Sequence, residues 1–161
     1  EVPRATFAPV DLGEVVRATL RLLQAGLSQE SVTVVAELPD GCRVRGDREQ
    51  LQQLCLNLLV NAREAVGGKG EIRVRCALRP DRGRPAVCLE VADTGPGISD
   101  AVRETIFEPF VTTKRHGTGL GLALCRAIVD VHRGTIRAGN RDPGPGAAFT
   151  VEFPADAAAP G

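Results

Sequence analysis

The stretch PAVCLEVADTGPGIS, residues 85–99, runs an alternating segment into an acid and then into a glycine-rich turn. Side chains of an extended strand alternate between two faces, so Val87, Leu89, Val91 and Asp93 share one face. Three apolar side chains in that row mark it as the inward face, and the same parity delivers a carboxylate inward. A carboxylate there needs hydrogen-bond donors. A ligand base with an exocyclic amine would supply one: adenine carries that amine, whereas guanine presents a carbonyl oxygen at the equivalent position. Gly95 and Gly97 would remove side chains where a flat base slides past backbone, and Pro96 stiffens the bend. The competing reading is an ordinary loop with a solvated acid, and the register of Asp93 argues against it.

Upstream of this strand, EIRVRCALR (71–79) sets Ile72, Val74, Cys76 and Leu78 against Arg73, Arg75 and Arg79, and PDRGRP turns the chain. The two runs predict a β-hairpin. SVTVVAEL (31–38) alternates as a further strand, and AAFTVEF (147–153) closes the domain. Strands with one solvated face imply a sheet covered by helices on one side only, an α/β two-layer sandwich rather than a doubly wound fold. Asp11 is placed to cap an amphipathic helix running to about residue 25, with Gly26 ending it, and 1–10 reads as a short strand or extended arm. Residues 1–154 form the expected domain and 155–161 (ADAAAPG, with the A at 155) a disordered tail.

The chain has 161 residues, enough for one domain, and Lys plus Arg equals Asp plus Glu at 20 each. No global field draws it to nucleic acid or anionic lipid, so partners of those kinds are not expected. Its five cysteines form no C-x-x-C pair and read as buried, reduced thiols, which fits a cytoplasmic location. There is no secretory signal pattern and no apolar run long enough to cross a bilayer. Methionine is absent, so the chain is expected to be excised from a longer protein, and a membrane-anchored parent is compatible with that.

QLQQLCLNLLVNAREAV (50–66) follows a capping candidate, Asp47, and stops at Gly67-Gly68. Leu51, Leu54, Leu58, Ala62 and Ala65 make its main apolar stripe, with Leu56 and Val60 on the far side. Asn57 and Asn61 share one face at the flank of that stripe, with Glu64 a turn further on. Two amides at a buried edge require partners. Either they bond neighbouring backbone, or their carbonyl oxygens face a hard cation such as Mg²⁺, which takes oxygen ligands and keeps phosphates and waters in its other positions.

HGTGLGLALCRAIVDVH (116–132) places Gly117, Gly119 and Gly121 at the start of a helix with an expected inward stripe of Leu120, Leu124, Ala127, Ile128 and Val131. A glycine-lined helix N-terminus offers backbone N–H groups and a positive dipole end to phosphate. Neither a dinucleotide fold nor a P-loop fits, because TTKRH rather than a strand precedes it and no Walker lysine follows. Between the two glycine clusters, IFEPFVTTKRH carries Phe107 and Phe110, then Thr112, Thr113, Lys114 and Arg115. The phenylalanines either pack a loop or anchor a lid whose cations reach phosphate. His116 and His132 read as a loop residue and a helix-end residue.

Taken in order, NLLVNAREAV, DTGPGIS, FEPFVTTK and GTGLGLA resemble the N box, first glycine box, F box and second glycine box of sensor histidine kinase catalytic domains. These belong to the GHKL, or Bergerat-fold, superfamily, and VTTKRH is similar to the nitrogen-regulation and oxygen-sensing branch. The resemblance implies a mixed sheet packed on three helices, with ATP between helices and lid. It implies that Asp93 binds the adenine amine, that Gly95, Gly97 and Ile98 line the base pocket, and that Asn61 ligates Mg²⁺ with Asn57 beside it. Phe110, Thr112, Thr113, Lys114, Gly117, Thr118, Gly119, Leu120 and Gly121 would surround the nucleotide. Asn57, Asn61 and Lys114 would be the catalytic set.

The implied activity is transfer of the ATP γ-phosphoryl group to a histidine on a dimerisation domain outside this chain, followed by a response regulator receiver domain as partner. The isolated domain is expected to be monomeric, to bind ATP or ADP, and to be inactive or weak alone. Three features depart from the family pattern. Glu64 stands where many relatives carry a basic residue, Ala147 stands where Ser or Thr follows the last glycine, and no phosphoacceptor helix precedes the domain. Thr150 has the opposite strand parity and cannot replace the missing hydroxyl. The rival readings are an ATP-hydrolysing machine, an anti-sigma serine kinase and a nucleotide-binding pseudokinase. The first places a water-activating glutamate four residues before the magnesium asparagine, where this chain has Asn57, and the second is disfavoured by the same residue.

Overall fold

The structure, a computed structural model, describes residues 6–81, 83–111 and 121–156. In chain order the elements are β1 (Ala8–Asp11), α1 (Leu12–Leu27), β2 (Ser31–Glu37), β3 (Arg43–Gly46), α2 (Arg48–Val66), β4 (Lys69–Asp81), β5 (Arg84–Asp93), the short α3 (Asp100–Arg103), α4 (Gly121–Val131), β6 (Thr135–Asn140) and β7 (Ala147–Pro154). β4 and β5 form the predicted hairpin, Ile72 standing opposite Asp93. They lie in a five-stranded sheet of order β2-β4-β5-β7-β6, in which β2 pairs with β4 in parallel and the other pairs are antiparallel. β1 and β3 make a separate two-stranded antiparallel ribbon.

The parallel pair is possible because β3 and α2 intervene between β2 and β4, and this crossover lays α2 against β4 and β5. Asp47 caps α2 by accepting the Gln50 N–H at 3.0 Å, and Gly67 ends the helix in the left-handed conformation at φ 61°. Leu51, Leu54, Leu58 and Ala62 are buried against Ile72, Val74, Val87, Leu89 and Val91 of the hairpin and Phe149, Val151 and Phe153 of β7, in one continuous core. Each buried leucine contributes about 1.5–3 kcal/mol through the water it leaves behind. The opposite face of the sheet carries ion pairs, Arg75 with Glu90 at 3.8 Å and Arg79 with Glu152 at 3.6 Å. Their arginines are exposed and their glutamates half-buried, and such pairs add little to stability.

Several sequence expectations change here. Gly26 does not end α1, which runs to Leu27 with Ser28 as its cap. A side chain at Gly26 would stand 2.8 Å from the Arg63 guanidinium, which pairs with Glu30, so this glycine makes room for that ion pair. The strands β3 and β6 were not expected. The inward face of α4 is Cys125, Ile128 and Val129, with Leu122 packed beside them, whereas Leu124 and Val131 are 44% and 49% exposed and Ala127 also faces outward. α4 is apolar around most of its circumference, so its packing against α2 and β6, not its period, decides the buried side. Ala155 and Asp156 continue the fold, their N–H groups donating to the carbonyls of Pro85 at 3.0 Å and Arg43 at 2.9 Å.

Candidate nucleotide site

Asp93 ends β5 and is 1% exposed. Its Oδ1 accepts the Gly95 N–H at 2.9 Å and the Ala147 N–H at 3.4 Å. The following residue turns back to β4: Thr94 Oγ1 accepts the Glu71 N–H at 2.9 Å, and the Thr94 N–H donates to the Glu71 carbonyl at 3.1 Å. The approach of β7 is backbone on backbone, since a Cβ at Gly146 (φ 116°) would stand 1.7 Å from the Asp93 carbonyl oxygen. The carboxylate is therefore aimed by main-chain groups from both sides. Backbone N–H groups are thus among the donors that a buried acid with strand parity requires.

Gly95 has a packing role that local sequence did not suggest: its Cβ would lie 2.6 Å from the Ala65 carbonyl oxygen, so the bare residue lets the turn settle onto α2. Gly97 adopts φ 84°, and its Cβ would meet Asn140 Oδ1 at 2.6 Å. Asn140 in turn binds both backbone groups of half-buried Ile98, Oδ1 accepting its N–H at 2.7 Å and Nδ2 donating to its carbonyl at 2.8 Å. Sequence reading missed Asn140. It ends a strand of only six residues that was itself not expected, and its partner, Ile98, lies 42 residues away.

Asn57 and Asn61 sit one turn apart on α2, both half-buried, and Glu64 is exposed. Asn57 Oδ1 accepts from Gln53 Nε2 at 2.9 Å, and its Nδ2 donates to the Gly121 carbonyl at 3.4 Å, tying α2 to the first residue of α4. A hydrogen bond from Asn57 also reaches the Cys125 thiol, which burial pushes up to about 12 while that bond partly offsets the rise. Gly121 is exposed, and a Cβ there would meet nothing within 4 Å among the described residues. Phe107 is buried edge-on against Phe149 at 6.1 Å, while Phe110 is 76% exposed at φ 69°. Thr112, Thr113, Lys114, Gly117, Thr118, Gly119 and Leu120 lie outside the described residues. The structure thus brings Asp93, the 95–98 turn, α2 and Asn140 into one neighbourhood, and joins α2 to α4 through Asn57.

His132, read from sequence as a helix-end residue, is buried and joins distant elements. Its Nε2 accepts the Asp47 N–H at 3.0 Å, its Nδ1 lies 2.8 Å from the Ile128 carbonyl, and Phe7 stacks on the ring at 4.8 Å. It holds the cap of α2 to the end of α4.

The mixed five-stranded sheet and its helices define an α/β sandwich, with an inward acid beside a glycine turn and two amides on the adjoining helix. Residues 46–157 match the family described as histidine kinase-, DNA gyrase B- and HSP90-like ATPase, and the chain belongs to it. It is 40% identical over 146 residues to the signal transduction histidine-protein kinase AtoS of Escherichia coli K12, a match covering 90% of this chain and 23% of AtoS. The sensory histidine kinase/phosphatase NtrB of Rhodobacter capsulatus is 41% identical over 137 residues, covering 80% of this chain and 39% of NtrB. The chain therefore spans well under half the length of these relatives. Among solved structures, the catalytic domain of histidine kinase ThkA superposes with a TM-score of 0.81 at 35% identity, covering 92% of this chain and 95% of that one. The mixed sheet and its helices are those of histidine kinase catalytic domains, as the four sequence boxes implied. Among the described residues no helix is long and apolar enough to cross a membrane.

Proposed function

We propose that this domain binds ATP, with the adenine amine on Asp93 and the phosphates toward the start of α4, and presents the γ-phosphoryl group to a histidine on another segment of a longer sensor kinase. The observation that carries the reading is the carboxylate of Asp93, buried and aimed by two backbone N–H groups at the mouth of a glycine turn. An anion so placed distinguishes an exocyclic amine from a carbonyl oxygen, and hence adenine from guanine. Gly95, Gly97 and Ile98 line the base side, and Gly121 with Gly117, Gly119, Thr118 and Leu120 the phosphate side.

The donor chemistry suits Mg²⁺: Asn61 offers a neutral amide oxygen on the helix that Asn57 ties to α4, without adding negative charge beside a triphosphate. When bound, the ion would neutralise phosphate charge. Lys114 and Arg115 remain the proposed lid cations, a task that Glu64 cannot perform. Hydrolysis is disfavoured on chemistry, because four residues before Asn61 stands an amide engaged with Gln53 and Gly121, which has no basic lone pair to activate water.

ThkA has been solved in complex with the response regulator protein TrrA, at 32% identity to this chain, and a receiver domain is proposed here as the downstream partner. The parent's phosphoacceptor histidine would lie on a dimerisation hairpin, with the catalytic domain in the cytoplasm. The test combines this chain, such a hairpin and γ-labelled ATP. Acid-labile label on the hairpin supports the kinase; steady phosphate release assigns an ATPase, and nucleotide binding with neither reaction a pseudokinase.

A further inference from the structure

We infer that Asn140 is a positioning residue for base recognition, holding the far end of the turn whose near end is Asp93. This rests on the reading that Asp93 takes the adenine amine. Residues 93–98 leave β5 and are gripped at both ends by two consecutive residues where β6 stops. Asn140 binds the N–H and the carbonyl of Ile98 together, at 2.7 and 2.8 Å, as a strand rung would. Arg141 Nη1 reaches the carbonyls of Pro145 at 3.3 Å and Asp93 at 3.5 Å.

The backbone of Asn140 is the register partner of Ala147, the residue whose N–H aims the Asp93 carboxylate. One residue thus joins the acid's support to the turn beside it. Gly97 completes the device, since any Cβ there would occupy the place of Asn140 Oδ1. The protein's own groups hold both ends of the turn, and a turn so held saves part of the ordering cost that binding would otherwise meet. Both amide atoms are used, so no residue lacking a paired donor and acceptor reproduces the grip.

The test is calorimetric titration of ADP into this chain and its Asn140→Ala and Asn140→Asp variants, with and without Mg²⁺, together with exchange of the Ile98 amide. Losing two neutral hydrogen bonds should weaken ADP binding by about tenfold. The factor should be the same with and without Mg²⁺, because the metal would sit on α2, and the Ile98 amide should exchange faster. Asn140→Asp keeps the shape and the acceptor but loses the donor. Its deficit near pH 7 should shrink, relative to wild type at the same pH, as the carboxyl gains a proton to donate toward the Ile98 carbonyl on approach to about pH 4.

An unchanged ADP affinity in folded Asn140→Ala, or a loss seen only with Mg²⁺, overturns the inference. Should Asn140→Ala not fold, Asn140→Asp decides: a deficit indifferent to pH overturns it, and one that shrinks supports it. Failure of the wild-type chain to bind ADP would instead overturn the adenine reading of Asp93, and this inference with it.

Discussion

Oδ1 of Asp93 is held by the N–H groups of Gly95 and Ala147, so the aim of the acid tolerates changed side chains nearby but not a displaced backbone. Ala147 shows the first half of that statement: the hydroxyl usual at this position in the family is missing, yet its N–H still supports the carboxylate. Asp93→Asn keeps an oxygen acceptor for both N–H groups and should change unfolding free energy by no more than about 1 kcal/mol. The anion that would meet the adenine amine is lost, so ADP affinity should fall by about 10- to 100-fold in calorimetry. Equal affinity would reject the assignment. Gly146→Ala is the converse. A methyl group 1.7 Å from the Asp93 carbonyl oxygen, on a backbone at φ 116°, forces β7 away from the acid. Urea denaturation should show a loss of about 3 kcal/mol or more. Asp93 was legible in the sequence because strand parity is local. Asn140 was not, because its meaning depends on a backbone partner in a turn 42 residues away.

At the scale of elements, legibility followed how one-sided each segment is. α2 was read correctly because a clean leucine stripe, a capping Asp47 and a left-handed Gly67 agree with one another. β3 and β6 escaped because four and six residues carry too few alternations, and Gly139 interrupts the second. α4 was found as a helix but turned the wrong way. Ile128 belongs to both its expected and its actual stripe, whereas Leu124 belongs to the expected one alone. This makes the orientation measurable. Ile128→Ala removes a side chain 5% exposed and should cost about 2–4 kcal/mol, whereas Leu124→Ala, at 44% exposed, should cost under about 1 kcal/mol. Comparable losses in chemical denaturation would contradict the observed face of the helix.

For the whole molecule, the sandwich and its layer order follow from strands with one solvated face, and composition adds a thermodynamic signature. All five cysteines are buried and free, as their apolar surroundings in sequence suggested. Burial is the first cause raising each thiol above its ordinary value of 9.0: Cys76 and Cys125 to about 12, with Cys42, Cys55 and Cys88 also raised. Above pH 9 the unfolded chain sheds thiol protons that the folded chain keeps, so it binds fewer protons and stability must fall as pH rises. The contribution is whole below the unfolded value of 9.0 and is lost progressively toward about 12 for Cys76 and Cys125. Each fully linked thiol changes stability by about 1.4 kcal/mol per pH unit, so Cys55, Cys76 and Cys125 together give about 4. Few other groups blur this window, since the chain has no tyrosine and only Lys69 and Lys114 among lysines. Urea unfolding measured from about pH 8 to about pH 10.5 should therefore steepen downward above pH 9. Replacing Cys55, Cys76 and Cys125 by alanine should lower stability at neutral pH through lost packing, yet flatten that alkaline slope. The two effects have opposite pH dependence, so equal slopes in the two proteins would show that these thiols ionise as readily in the folded chain as in the unfolded one.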